Sequence, residues 1–124
     1  MRFAARQIRQ SKENAMKDYS AMSDFEINKA VGELTGEATS TEPTFEMVIR
    51  NANGSRFDPC KNIDDAWKII AENRINVEWH EMEDDTFKPY ALSNETMIGY
   101  YDDSSLRAAM IVFLMMKDRG NSHA

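Results

Sequence analysis

The chain has 124 residues, 42% of them hydrophobic and 29% charged, with a net charge of −6 and one cysteine. That length fits one domain able to bury a core without metal or disulfide support, and a lone cysteine excludes an internal disulfide. The charge is uneven: residues 1–17 carry Arg2, Arg6, Arg9, Lys12 and Lys17 against Glu13, a net +4, so the remainder carries −10. A body this acidic repels phosphate and speaks against nonspecific nucleic-acid binding. With no signal peptide and no apolar run long enough to span a bilayer, the expectation is a cytoplasmic protein that does not enter membranes.

The expected division is a basic, loosely ordered extension over 1–17, one domain over 18–120 and a frayed tail over 121–124. Ser23-Asp24-Phe25-Glu26 reads as a capping box, with Ser23 bonding the amide three residues on and Glu26 reaching back. Phe25, Ile27, Ala30, Val31 and Leu34 give the following helix an apolar face, and Gly32 and Gly36 bracket its end. Thr35 to Thr44 reads as a polar linker closed by Pro43.

Phe45–Arg50 reads as a strand with Phe45, Met47 and Ile49 on one side. Asn53-Gly54 marks a turn, after which Ser55–Phe57 is either a short hairpin partner or loop. Asn62 is a good cap for a helix over Ile63–Asn73, with Asp64 and Asp65 in the favourable first turn. Ile63, Ala66, Trp67 and Ile70 follow the helical spacing, and Ile69 widens the stripe. Ile75–His80 alternates apolar Ile75, Val77 and Trp79 with polar Asn76, Glu78 and His80. Glu81–Asp85 is an acidic loop. Phe87–Leu92 is a further strand, restricted to a sheet edge by Pro89. Thr96–Tyr101 is another.

Leu106–Met116 is the most apolar stretch, unbroken from Ala108. It has strong helix formers, a cap at Ser104 or Ser105, and Lys117, Arg119 and Gly120 at its end. A helix apolar all round is buried on more than one side. The order of elements predicts an α+β fold: two layers, a mainly antiparallel sheet of three to five strands, about three helices, and the C-terminal apolar helix packed centrally.

Four features could carry chemistry. The acidic run Glu78, Glu81, Glu83, Asp84 and Asp85 lacks the ordered oxygen spacing and glycine of a calcium loop, so it reads as solvated charge around His80. Cys60 precedes a helix N-terminus, but no base stands near it in sequence, so it reads as structural. Arg107 is the lone charge in the core helix; it either receives a carboxylate or phosphate or pairs with Asp102 or Asp103. Trp67, Trp79, Tyr90, Tyr100 and Tyr101 belong to the residue types enriched in binding hot spots and also common in cores. No catalytic residue, metal ligand or cofactor motif stands out.

Two segments, Asp58-Pro59-Cys60-Lys61-Asn62-Ile63-Asp64-Asp65-Ala66-Trp67-Lys68-Ile69-Ile70 and Leu106–Met116, resemble the NinX-like family of bacteriophages and prophages. Asp18-Tyr19-Ser20 and Ser23–Lys29 add to the likeness, which runs in order from about Met16 to Lys117. The chain departs from the family at Ile63, Lys68 and Ser105, where proline is usual at helix starts or loops. The resemblance implies a phage accessory protein in the host cytoplasm and supplies no catalytic residues.

Three functional expectations follow. The first is a non-enzymatic interaction protein that binds a host or phage protein through Trp79, Tyr90, Tyr100 and Tyr101, with DNA mimicry as a variant of an acidic body. The second is a nucleotide-like ligand or substrate held near the 63–73 helix, with Trp67 stacking on it and Arg74 or Arg107 meeting a phosphate. The third is a homodimer through apolar residues of the last helix.

Overall fold

The computed structural model describes residues 18–121; the expected basic extension and residues 122–124 of the expected tail lie outside them. A 3-10 turn at Tyr19–Ala21 leads into α1 (Asp24–Thr35). There follow β1 (Thr39–Glu42), β2 (Met47–Arg50), α2 (Ile63–Glu72), β3 (Ile75–Glu81), β4 (Phe87–Ser93), β5 (Gly99–Tyr101) and α3 (Ser105–Asn121). The fold is α+β, with two small antiparallel sheets in the orders β1-β2 and β3-β4-β5.

The local signals act as their chemistry dictates. The Ser23 hydroxyl accepts from the Glu26 amide at 3.1 Å while Glu26 accepts from the Ser23 amide, and Gly36 closes α1 at φ +76°. Asn62 caps α2 by accepting from the Asp64 amide. Ser104 caps α3, its hydroxyl accepting from the Arg107 amide at 3.3 Å. Gly120 does not stop that helix, which continues to Asn121.

The core is built on α3. Ala108 to Leu114 are at most 2% exposed, and the helix packs on all three strands of the larger sheet and on α1 and α2. Ile27 and Val31 from α1, Ala66, Ile69 and Ile70 from α2, and Ile75 and Ala91 from the sheet complete the packing. Fully burying each large apolar side chain stabilises the fold by roughly 1.5–3 kcal/mol. A buried polar link ties α1 to the loop before α2: Asn28 donates to Asp58 at 2.8 Å and accepts from the Cys60 amide at 3.1 Å. Among the described residues no helix is long and apolar enough to cross a membrane.

Several expectations are corrected. The polar linker over 35–44 contains β1, which pairs with β2 from Thr39↔Arg50 to Glu42↔Met47. Its threonines suit a strand, but its exposure removes the apolar alternation that reveals one. Ser55–Phe57 forms no strand: its backbone meets β2 at a single bridge, Ile49↔Arg56, to which the Arg50 side chain adds bonds to Ser55 and the Arg56 carbonyl. In β2 it is Val48 that enters the core, while Phe45 lies before the strand, 72% exposed. Ile63 and Trp67 are exposed at 52% and 61%, so α2 is turned away from them toward Ala66, Ile69 and Ile70.

Pro89 does not confine its strand to an edge: β4 is the central strand. The Met82 amide donates to the Thr86 carbonyl at 2.7 Å, which sets the alternation of the ladder. By that alternation the even residues of β4 bond to β3, and the missing donor of Pro89 faces the other side. There it lies beyond the end of β5, where the Pro89 carbonyl still accepts from the Asp102 amide at 3.3 Å.

Candidate interaction surface

The helices cover one face of the β3-β4-β5 sheet. Toward them point Ile75, Val77, Ala91, Ser93 and Tyr100. The opposite face carries Asn76, Glu78, His80, Lys88, Tyr90, Leu92 and Tyr101, and among the described residues no element is packed over it.

At its centre three rings gather. Glu78, Tyr90 and Tyr101 lie in one cross-strand row, and His80 stands one pleat along β3. The centroids of Tyr90 and Tyr101 are 4.4 Å apart, those of His80 and Tyr90 4.7 Å, and those of His80 and Tyr101 5.3 Å. These are the separations at which aromatic pairs attract. His80 Nδ1 and the Tyr101 hydroxyl share a hydrogen bond of 2.6 Å, its donor set by the imidazole tautomer. His80 Nε2 is 3.6 Å from Glu78, and Lys88 is 3.8 Å from Asp103. Tyr90 lies across the sheet over Gly99, where any Cβ would run into its phenol. The result is a preformed aromatic platform with charges of both signs around it.

Only part of the predicted interaction set is on this platform. Tyr90 and Tyr101 meet there. Tyr100 alternates to the helix side, where burial and then the charge of Asp102 raise its phenol pKa. Trp79 is also on the helix side of β3 yet 62% exposed, because it stands near the hairpin end. His80 is the residue that sequence reasoning missed. Its place in the acidic run suggested solvated charge, but strand parity puts it beside Glu78 and Tyr90.

The residues expected to hold a ligand are not gathered in one cleft. Trp67 and Arg74 are exposed on and just after α2. Arg107 is 13% exposed at its side chain and fully engaged. Its guanidinium donates to Asp24 at 2.7 Å, to Asp102 at 3.3 Å, and to the carbonyls of Tyr19 and Met22 at 3.1 and 2.6 Å. Burial opposes its charge, but Asp24 and Asp102 outweigh it and hold its pKa above the ordinary value. A cleft of about 380 Å³ does lie beside α2, but its lining (Leu34, Arg50, Asp65, Ile69, Phe113 and Lys117 among others) includes none of the three. Arg50 bridges Glu37 at 2.6 Å and Asp65 at 2.5 Å, and the bond to Asp65 raises its pKa.

Cys60 is 1% exposed, and burial followed by the charge of Asp24 pushes its thiol up to about 12. A thiol held protonated is a poor nucleophile. Among the described residues no three or more His, Cys, Asp or Glu side chains converge on a metal-sized site.

Neither a curated protein nor a solved structure matches the chain significantly. The family described as bacteriophage P22 NinX matches residues 18–117. That span takes in every element from the 3-10 turn through most of α3, including both sheets and the aromatic platform. The chain therefore belongs to the phage P22 NinX family.

Proposed function

We propose that this is a phage accessory protein that acts without catalysis, binding a host or phage protein in the cytoplasm of the infected bacterium. The observation that carries this reading is the outer face of the larger sheet, uncovered among the described residues, with the rings of His80, Tyr90 and Tyr101 clustered on it in tilted and edge-on contact. Rigid aromatic side chains with a polar tip give contact area at low entropic cost, which is why they anchor interfaces. The acidic body favours a partner with a basic contact surface and disfavours nucleic acid. The ligand reading is weaker, because Arg107 is occupied by its own protein and the cleft beside α2 is lined largely by paired charges.

Affinity capture of the tagged protein from phage-infected cells, followed by native mass spectrometry, tests this reading. The expected result is a discrete added protein mass at a fixed ratio. A retained mass of a few hundred daltons with no added protein would move the assignment to the cleft.

A further inference from the structure

We propose that the free edge of β3 pairs with the same edge of a second copy of the chain. The two strands run antiparallel about a two-fold axis at Trp79, and two three-stranded sheets join into one of six. This uses the sheet edge and not the outer face, so it stands apart from the partner reading above.

The argument begins with the ladder. The bond from Met82 to Thr86 fixes which residues of β3 point at β4. In an antiparallel pair those positions recur every second residue, so Asn76, Glu78 and His80 bond to β4. Ile75, Val77, Trp79 and Glu81 then direct their amides and carbonyls away from it. The sheet order leaves β3 at an edge, and among the described residues no strand lies there. The edge is seven residues long, without proline or glycine, and carries Trp79 at 62% exposure. Natural edges are blunted by short length, proline, bulges or charge; this one has only Glu78 and Glu81 against pairing, and a long edge without the other devices is a template for a strand that meets those charges.

Charge then selects both the occupant and the register. Two copies related by a two-fold axis must set odd residues against odd residues. An axis at Glu81 sets Glu81 against itself, and one midway between Val77 and Trp79 sets Glu78 against Glu78. Like charges directly opposite are destabilising. An axis at Trp79 sets Glu78 opposite the partner's His80 and Glu81 opposite the partner's Val77. An axis at Val77 gives a ladder of the same length but leaves the acidic turn without a counter-charge, and an axis at His80 sets the two imidazoles against each other. The strand carries Arg74 before its start and Glu83, Asp84 and Asp85 beyond its end, so an antiparallel copy brings opposite charges together at both ends. The two indoles meet at the axis on the helix side of the sheet.

The test is the mass of the full chain across concentration, by light scattering after size exclusion and by native mass spectrometry. The wild type is expected to form a reversible dimer at twice 14.2 kDa. Trp79→Lys places two cations at the axis and should give monomer at the same concentration, with circular dichroism and melting temperature retained because Trp79 is exposed. Arg74→Glu should weaken the dimer by up to roughly fivefold, because it brings like charge to the acidic turn at each end of the ladder. Trp79→Cys should cross-link two chains on mild oxidation, since a hydrogen-bonded cross-strand pair has Cα atoms about 5.5 Å apart, within disulfide range. Buried Cys60 does not compete. A wild type that is monomeric at every soluble concentration overturns the proposal. So does a dimer that Trp79→Lys leaves intact and Trp79→Cys does not cross-link.

Discussion

Arg107 shows how much a single side chain can be asked to hold. It draws the 3-10 turn, the start of α1 and the start of α3 onto one guanidinium through Asp24, Asp102 and two carbonyls. Removing one partner of a buried charge network leaves the others uncompensated. Arg107→Leu is therefore expected to destabilise the fold by about 3–5 kcal/mol in urea unfolding, whereas Trp67→Ala, 61% exposed, should stay within about 0.5 kcal/mol of wild type. Equal effects would contradict the assignment of Arg107 as a structural tie. Cys60 gives a second residue-scale prediction. Its folded pKa of about 12 stands above the ordinary value of 9.0. The unfolded chain releases this proton first, so the contribution is full below pH 9 and is lost as pH rises toward 12. Stability should fall there by up to about 1.4 kcal/mol per pH unit from this group. Cys60→Ser should flatten that part of the pH–stability curve, and an unchanged curve would refute the attribution. The pairing of Arg107 with Asp102 was visible in the sequence as one of its options. The partnership with Asp24, 83 residues away, was not, because no local spacing encodes it.

At the scale of elements, what was legible was what local chemistry writes. The capping box, the Asn62 cap, the apolar run of α3 and the alternation of β3 are short-range patterns, and each became the element it signals. What was hidden depends on partners. β1 is polar because both its faces are largely wet, so it lacks a period. The phase of α2 is ambiguous in the sequence, since the exposed Ile63 and Trp67 share the helical spacing with the buried Ala66 and Ile70. Pro89 misled because the rule against central prolines concerns the missing donor, and here that donor would face past the end of β5. The aromatic platform needed the register: only the row Glu78–Tyr90–Tyr101 brings rings from distant segments together. Gly99 is its hidden element. Gly99→Ala should force Tyr90 off the sheet and separate the rings. The expected outcome is a changed near-ultraviolet circular dichroism spectrum and weakened partner binding, with a stability loss of about 1 kcal/mol. An unchanged aromatic spectrum would show that Tyr90 does not rest on Gly99.

For the whole molecule, one buried helix carries the larger sheet and α1 the smaller, and among the described residues the larger sheet keeps one face and the β3 edge uncovered. Dimerisation through the last helix, the third expectation, would have to use the half-buried Leu106, Met115 and Met116, because Ala108 to Leu114 are core. We propose the outer face of the sheet for a different protein and the β3 edge for a second copy. The central claim is that the outer face is where the partner binds. Its most direct measurement is quantitative capture from phage-infected cells with three tagged proteins side by side: wild type, Tyr90→Ser/Tyr101→Ser, and Trp67→Ala. A stoichiometric protein partner is expected on the wild type and on Trp67→Ala, with binding weakened tenfold or more, about 1.4 kcal/mol or greater, on the double variant. A partner retained equally by all three would place the interaction elsewhere on the molecule and contradict the account.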